Sequence, residues 1–307
     1  AMQRREAIAR RTCAALGYNE CVSYSFIDKP SAALFGGGTD DTRLENPISA
    51  DMSHMRPSLL PALLQAAARN QARGFADMAL FEVGPVFTGG EPGEQHLQVS
   101  GVLVGRTGPK DVHGASRPID LFDVKADIEA ILASIGAPAK VQINRKGDEW
   151  WHPGRHGQIC LGPKMVLAVF GEIHPRVLSA LDVKGPAVGF TLWPANVPLP
   201  RKVGATRPAL NVSALQAVER DFAFVVDAEV DAMTLVNAAM GADKALIDDV
   251  RVFDEFIGGA LGEGKKSLAL SIRMQPNEKT LKDADIEAVS NKVIEKVTKA
   301  TGGVLRG

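Results

Sequence analysis

A glycine-rich stretch comes closest to a nucleotide-binding motif. Gly259–Lys266 reads GALGEGKK. A phosphate-binding loop needs Ser or Thr directly after its lysine to hold Mg²⁺, and a helix after that. Lys266 occupies the hydroxyl position, and the alternation in 267–274 predicts a strand instead of a helix. The stretch therefore indicates a turn between two strands. A nucleotide-dependent enzyme would have to depend on this loop, and it is one alternative interpretation of the chain.

Two histidines are spaced as two metal ligands on one helix face would be. They are His152 and His156, but Pro153 and Gly154 between them argue against a helix. The three cysteines, at positions 13, 21 and 160, fit neither a zinc motif nor a redox pair. We therefore predict no metal site.

Four carboxylates gather near the start of a helix predicted at 121–135: Asp120, Asp123, Asp127 and Glu129. Negative charge is favourable at the positive end of a helix. No opposing carboxylate pair and no nucleophile motif accompanies them. They therefore indicate helix stabilisation, and the motifs reveal no catalytic centre.

A proline-rich stretch divides the pattern of hydrophobic residues. Four prolines fall between 194 and 208, and we interpret 194–212 as an extended linker. Before it, the pattern predicts helices at 4–16 and 121–135, a helical stripe from Leu59 to Leu64, and strands at 22–26, 80–87, 99–105, 158–161, 165–173 and 188–192.

The pattern after the linker has a recognisable order. It predicts strands at 221–226, 247–256, 267–274 and 304–305, with helices at 232–240 and 285–300. The order β-α-β-β-α-β is that of the ferredoxin-like fold, an antiparallel sheet with two helices on one side.

Composition restricts the function classes. The 307 residues carry a formal net charge of −1, so a protein that coats RNA through bulk positive charge is excluded and any RNA contact must be local. No apolar run approaches the roughly 18 residues that a membrane span needs, and no secretion signal is present. We expect a cytoplasmic protein.

Short segments in both halves resemble the C-terminal part of the bacterial phenylalanyl-tRNA synthetase β subunit family, in the order of that family. They are Gly17–Phe26 (GYNECVSYSF), Asn46–Ser49 (NPIS), Met55–Leu64 (MRPSLLPALL), Leu80–Phe87 (LFEVGPVF), Phe122–Asp127 (FDVKAD), His152–Arg155 (HPGR), Gly171–Pro175 (GEIHP), Glu219–Phe224 (ERDFAF), Val252–Asp254 (VFD), Lys266–Ala269 (KSLA), Thr280–Leu281 and Leu305–Arg306.

The resemblance implies an α+β protein with two domains. Residues 3–193 would form a class II aminoacyl-tRNA synthetase-like antiparallel sheet flanked by helices, and 213–307 a ferredoxin-fold anticodon-binding domain. In that family the α subunit activates phenylalanine with ATP and Mg²⁺ and transfers it to tRNA(Phe), in an α2β2 heterotetramer. The chain is shorter than a complete β subunit, and the editing domain is among the modules that we expect to be missing.

The residues agree with a core that has lost catalysis. An active class II core needs arginines around ATP. Family members often carry arginine where this chain has Pro85, and 188–192 lacks the Gly-x-Gly-x-x-Arg pattern. We therefore assign no catalytic residue, and we expect this fragment to bind neither ATP nor Mg²⁺. The second alternative interpretation is a free-standing RNA-binding or regulatory paralogue.

Two surfaces are predicted. Contact with the α subunit is assigned to the helix 4–16, through Arg4, Ile8 and Leu16, and to the stripe Leu59, Leu60, Leu63 and Leu64. Half of these residues could instead face the core of their own domain. Contact with tRNA is assigned to Phe256, Lys292, Lys296, Lys299, Arg251 and Arg273. Strict alternation would place Phe253 and Phe256 on opposite faces of their strand.

Overall fold

The computed structural model describes residues 2–108, 111–112, 114–199, 209–210 and 212–306. Its internal contacts divide the chain into two units, Ala1–Val203 and Gly204–Gly307. Most of the predicted linker, 200–208 and 211, lies outside the described residues.

The beginning of the predicted linker is part of the first unit. Pro194–Asn196 forms a short 3₁₀ helix, and Val197 is buried in the core. The guanidinium of Arg5, itself buried, donates to the carbonyls of Pro194, Val197 and Pro198 at 3.1, 2.5 and 2.6 Å. An extended linker from Pro194 onward is therefore wrong for these residues, because a buried arginine binds their backbone.

The first unit is built on a seven-stranded sheet. Its elements are α1 (Met2–Ala15), β1 (Asn19–Glu20), β2 (Phe26–Ile27), α2 (Lys29–Ala33), β3 (His54–Met55), α3 (Leu60–Gln71), β4 (Met78–Phe87), β5 (Gln95–Val104), α4 (Leu121–Ser134), β6 (Gln142–Asn144), β7 (Trp151–Leu161), β8 (Met165–Ile173), α5 (Pro175–Ala180) and β9 (Ala187–Leu192). The strand order is β1-β4-β5-β9-β8-β7-β6, with β1 parallel to β4 and the other neighbours antiparallel.

Helices cover both faces of this sheet. Alternate residues of the strands, such as Phe81 and Phe190, pack with α1 and α4 in one core. The residues between them, such as Leu80 and Val102, pack with α3 and α5 in a second core. Successive side chains of a strand point to opposite faces, so a sheet with two buried faces needs apolar residues at nearly every position. The predicted antiparallel sheet flanked by helices is confirmed.

The predicted strand at 22–26 is wrong. Only β1 and the two-residue β2 form near it, and Val22 and Tyr24 are exposed. The apolar run has no partner strand over its middle, so its β propensity is not realised.

The second unit has the predicted β-α-β-β-α-β order. Its elements are β10 (Val218–Asp227), α6 (Ala232–Met240), β11 (Ile247–Phe256), β12 (Lys265–Met274), α7 (Asp283–Thr301) and β13 (Val304–Leu305), and its antiparallel sheet has the order β11-β12-β10-β13. Gly302 ends α7 with a positive φ of 68°, a left-handed conformation that favours glycine. The ferredoxin-like prediction is confirmed.

Candidate nucleic-acid interface

The sheet of the second unit has one covered face and one open face. On β12, Leu268, Leu270 and Ile272 are buried in a core that α6 and α7 complete. Ser271 and Arg273 alternate with them and are only half-buried. The helices therefore cover one side of the sheet, and the other side remains available to a ligand.

Two phenylalanines stand out on the open face. Phe253 is 57% exposed and Phe256 is 43% exposed, although phenylalanine is usually buried. Phe256 lies opposite Ser267, while Phe253 lines a cavity with Arg251 and Arg273. Both rings are therefore on the same side.

The expectation that alternation separates Phe253 from Phe256 is wrong. The pairing register between β11 and β12 shifts between Val252 and Asp254, so β11 carries an extra residue there. A bulge of this kind changes which side chains share a face. The predicted exposure of Phe256 is confirmed.

Charged side chains surround Phe253. A cavity of about 270 Å³ is lined by Glu219, Asp221, Asp249, Arg251, Phe253, Ser271 and Arg273. Arg251 pairs with Asp249 at 2.5 Å, and Arg273 pairs with Asp248 at 3.3 Å. Exposed ion pairs of this kind contribute at most about 1 kcal/mol, so a phosphate could compete for both guanidinium groups.

The three predicted lysines lie in the helix layer. Lys292, Lys296 and Lys299 are exposed on α7, which packs against the covered face of the sheet. They are therefore on the opposite side of the unit from Phe256, Arg251 and Arg273, and the structure does not bring the six residues into one surface. Lys292 also donates to Asp243 at 2.9 Å, and this hydrogen bond lowers the pKa of that carboxyl.

The leucine stripe predicted to meet another subunit is wrong as an interface. Leu59, Leu60, Leu63 and Leu64 are fully buried in the core of their own unit. An amphipathic helix buries its apolar stripe first against its own domain.

The surface of α1 is only partly available. Ile8 is half-buried and packs against the first core, whereas Arg4 and Leu16 are exposed. Several other apolar residues of the first unit are exposed, and Val22, Tyr24 and Ile48 are among them. The sequence could have pointed to these three residues, because they fall within segments that carry the family resemblance.

A buried ion pair occupies the first unit beside β4. Arg56 contacts Glu82 at 2.7 Å, and both side chains are almost fully buried. Arg56 also donates to the Ser23 hydroxyl at 2.9 Å and to the Pro85 carbonyl at 2.9 Å. Ser23 donates to the other oxygen of Glu82 at 2.6 Å. The two charged groups thus bind each other, and few of their hydrogen-bonding atoms remain for a ligand. Sequence reasoning missed this pair, although both residues lie in quoted segments.

A row of uncharged polar side chains continues across the same face of the sheet. Gln98 accepts from the backbone N–H of Leu59 at 3.0 Å and from the Ser100 hydroxyl at 3.2 Å. Ser100 lies 3.1 Å from the hydroxyl of Thr191 on β9. All of these side chains are buried. The centre of the sheet, on β4, β5 and β9, therefore holds a polar network that is satisfied internally.

The carboxylates at α4 have two different roles. Asp120 and Asp123 form a capping box at the start of α4, which agrees with the predicted role in helix stabilisation. Asp127 instead accepts from the Tyr18 hydroxyl at 2.6 Å. Burial raises the pKa of Asp127, the hydrogen bond opposes that rise, and the charge of Asp123 adds to it.

The remaining motifs behave as turns and strands. Gly259–Leu261 is a 3₁₀ turn in the connection between the antiparallel strands β11 and β12, and Lys266 is buried beside Glu255 at 3.4 Å. His152 and His156 lie on β7. Among the described residues there is no group of three or more side chains able to hold a metal ion, and no helix is long and apolar enough to span a membrane.

Comparison with known proteins places the chain in a family. The model described as the phenylalanyl tRNA synthetase beta chain CLM domain matches residues 1–193, more than half of the chain. The chain belongs to the phenylalanyl-tRNA synthetase β chain family. The model of the ferredoxin-fold anticodon binding domain matches residues 213–306. The resemblance seen in the sequence is thereby confirmed.

Relatives in this family cover the whole chain. Phenylalanine–tRNA ligase β subunits of Ruegeria pomeroyi and Cereibacter sphaeroides are 77% and 66% identical over 99% and 100% of it, and that of Rhodospirillum rubrum is 51% identical over 99%. The chain spans 38% of the length of each of these proteins.

Proposed function

We propose that the chain is a non-catalytic part of a phenylalanine–tRNA ligase and that it binds tRNA(Phe) through its second unit. The complete enzyme would join phenylalanine to tRNA at the expense of ATP, with release of AMP and diphosphate. The observation that carries this proposal is the open sheet face on which Phe253 and Phe256 are exposed, with Arg251 and Arg273 beside Phe253. Unpaired bases stack on aromatic rings, while cations hold the phosphates. The anticodon loop supplies such bases.

The catalytic step is assigned to a partner α subunit in an α2β2 assembly, in the cytoplasm. Adenylate chemistry requires cationic donors that can reach ATP. In the first unit Arg56 is instead bound to Glu82, and Gln98, Ser100 and Thr191 bind one another. ATP and Mg²⁺ would then bind to the α subunit. The purified chain alone should show no phenylalanine-dependent ATP–pyrophosphate exchange, and exchange should appear when the α subunit is supplied with the complete β subunit.

The surface that meets the partner is assigned to Arg4 and Leu16 together with Val22, Tyr24 and Ile48. Exposed apolar side chains are the usual core of obligate interfaces. A charge at the interface should block assembly. Tyr24→Asp should therefore prevent co-purification of the two subunits, whereas Met165→Asp, at the exposed first residue of β8, should not. Normal assembly of Tyr24→Asp would remove this surface from the proposal.

The tRNA surface is tested by comparing the two sides of the second unit. In the complete enzyme, Phe253→Ala with Phe256→Ala should weaken tRNA binding by about 1–3 kcal/mol per stacked base. The triple change of Lys292, Lys296 and Lys299 to Ala should change both the affinity and its salt dependence only slightly, because these lysines lie on the other side of the unit. If the lysine variant loses affinity and the phenylalanine variant keeps it, the sheet face is not the site.

A further inference from the structure

The last described residue reaches across the open face of the second unit. Arg306 follows β13, and its backbone N–H donates to the carbonyl of Ala223 on β10 at 2.7 Å. Its guanidinium carbon lies 5.9 Å from the centre of the Phe256 ring on β11, at the far side of the sheet. The arginine side chain and the ring therefore meet above the two central strands, β10 and β12.

A second observation supports this arrangement. Ser267 lies on the open face, paired with Phe256 on one side and with Val225 on the other, yet it is only 5% exposed. Ser271, on the same face of the same strand, is half-buried. The sheet is thus covered where Arg306 crosses it, and the remainder of the face is more open.

The electrostatics leave this arginine free to serve a ligand. Among the described residues Arg306 forms no ion pair, in contrast to Arg251 and Arg273. A guanidinium over an aromatic face at about 6 Å gains roughly 0.5–1 kcal/mol at an exposed site. This contact is weak enough for the arginine to move when a better partner arrives.

The distance between the Arg306 guanidinium carbon and the Phe256 ring centre is slightly shorter than a base stacked between two flat groups would require. Flat groups in contact lie about 3.5 Å apart, so a base held between two planes needs about 7 Å between them. The guanidinium carbon lies 5.9 Å from the ring centre, so a small movement of the arginine side chain away from the ring would make room for one base. The guanidinium is planar and stacks on aromatic rings, which an ammonium group cannot do.

We propose that Arg306 and Phe256 form a clamp that holds one unpaired base of RNA between the guanidinium plane and the ring. This inference rests on the proposed tRNA-binding role of the second unit, and it adds Arg306 to that site as a second residue that contacts the base. In the free protein the guanidinium lies over the ring, and Phe256 remains 43% exposed. The ligand is a single-stranded nucleobase, and the guanidinium keeps donors for the adjacent phosphate.

The test uses the complete enzyme, with tRNA(Phe) affinity measured for Arg306→Ala, Arg306→Lys, Phe256→Ala and the double variant Arg306→Ala/Phe256→Ala. Lys244→Ala, at an exposed position after α6, controls for the loss of one positive charge. Arg306→Ala should weaken binding about 3- to 30-fold. Arg306→Lys should remain weakened, because it keeps the charge and loses the plane. In the double variant the loss should be close to that of Phe256→Ala alone, since each half of a clamp needs the other.

Several results would overturn the clamp. Full recovery in Arg306→Lys would indicate a point charge on a phosphate, additive losses would indicate independent contacts, and tighter binding in Arg306→Ala would indicate a lid. If Phe256→Ala weakens binding and Arg306→Ala does not, the clamp fails while the proposed function stands. If Phe253→Ala and Phe256→Ala both leave the affinity unchanged, both proposals fail.

Discussion

The two sheets of this chain differ in what covers them. In the first unit helices pack on both faces, and the polar residues at the centre of the sheet bind each other. In the second unit helices pack on one face only, and the other carries exposed phenylalanines beside arginines. A sheet with both faces buried is a scaffold, because its side chains are committed to packing. A sheet with one open face can present its side chains to a ligand.

The same comparison applies to the charges. Arg56 and Glu82 are both buried and pair with each other, so their interaction stabilises the fold. Arg251 and Arg273 form exposed pairs that RNA phosphates could replace at low cost. If this distinction holds, substitution of the buried groups should reduce stability, and substitution of the exposed groups should reduce binding.

The largest effect is expected at the buried ion pair. Glu82→Gln leaves Arg56 buried without a counter-charge, and it should lower the free energy of unfolding by about 3–5 kcal/mol. All three tryptophans, at positions 150, 151 and 193, lie in the first unit, so their fluorescence in urea reports its unfolding. Glu172→Gln is the matched control, since Glu172 pairs with the exposed Arg155 at the same 2.7 Å, and it should cost at most about 1 kcal/mol. Equal losses in the two variants would contradict the distinction.

The two faces of the second sheet should respond differently to the same substitution. Phe224 is fully buried under the helices, so Phe224→Ala should destabilise the second unit by about 3–5 kcal/mol. Phe253→Ala, on the open face, should change stability by less than about 0.5 kcal/mol. Hydrogen exchange of peptides from β10 and β12 measures both values. A destabilisation by Phe253→Ala that approaches that of Phe224→Ala would show that its ring serves the fold.

A smaller effect is expected where a glycine makes room for the buried arginine. A Cβ at Gly84 would lie 2.7 Å from a guanidinium nitrogen of Arg56. Gly84→Ala should cost about 1–3 kcal/mol by overpacking. Gly93→Ala, where nothing lies within 4 Å, should be nearly neutral. Urea unfolding followed by tryptophan fluorescence distinguishes the two, and a neutral Gly84→Ala would mean that Arg56 can move aside.

The smallest effect concerns the dependence of stability on pH. Burial raises the pKa of Asp127, so the folded state holds this proton to a higher pH than the unfolded state. As pH rises from the ordinary carboxyl pKa through the raised one, Asp127 should reduce the stability. Asp127→Asn should remove that decline. Unfolding curves between about pH 3 and 7 would show it, and a steeper decline in Asp127→Asn would contradict the assignment.

Much of the fold follows from periodicity alone. The helix Ala232–Met240 and the strands Ile247–Phe256 and Val304–Leu305 were predicted at their observed limits, and β12 nearly so. In the helix and in β12 the apolar residues recur on one buried face, so the pattern of apolar residues contains the information.

The features that could not be predicted depend on contacts between distant segments. The Arg56–Glu82 pair joins residues 26 positions apart, and the carbonyls that Arg5 binds are almost 200 positions away. The bulge after Val252 places Phe253 and Phe256 on one face against their alternation. No local pattern of residue types specifies such a register shift.

We propose that the second unit binds tRNA and that the first supports an enzyme whose chemistry takes place on another subunit. The most direct measurement removes 213–307 from the complete β subunit, assembles it with the α subunit, and measures tRNA(Phe) affinity and ATP–pyrophosphate exchange on one preparation. We predict tRNA binding weaker by at least about tenfold, with exchange within about twofold of the intact enzyme. Unchanged tRNA affinity, or exchange lost from an assembled enzyme, would contradict the account.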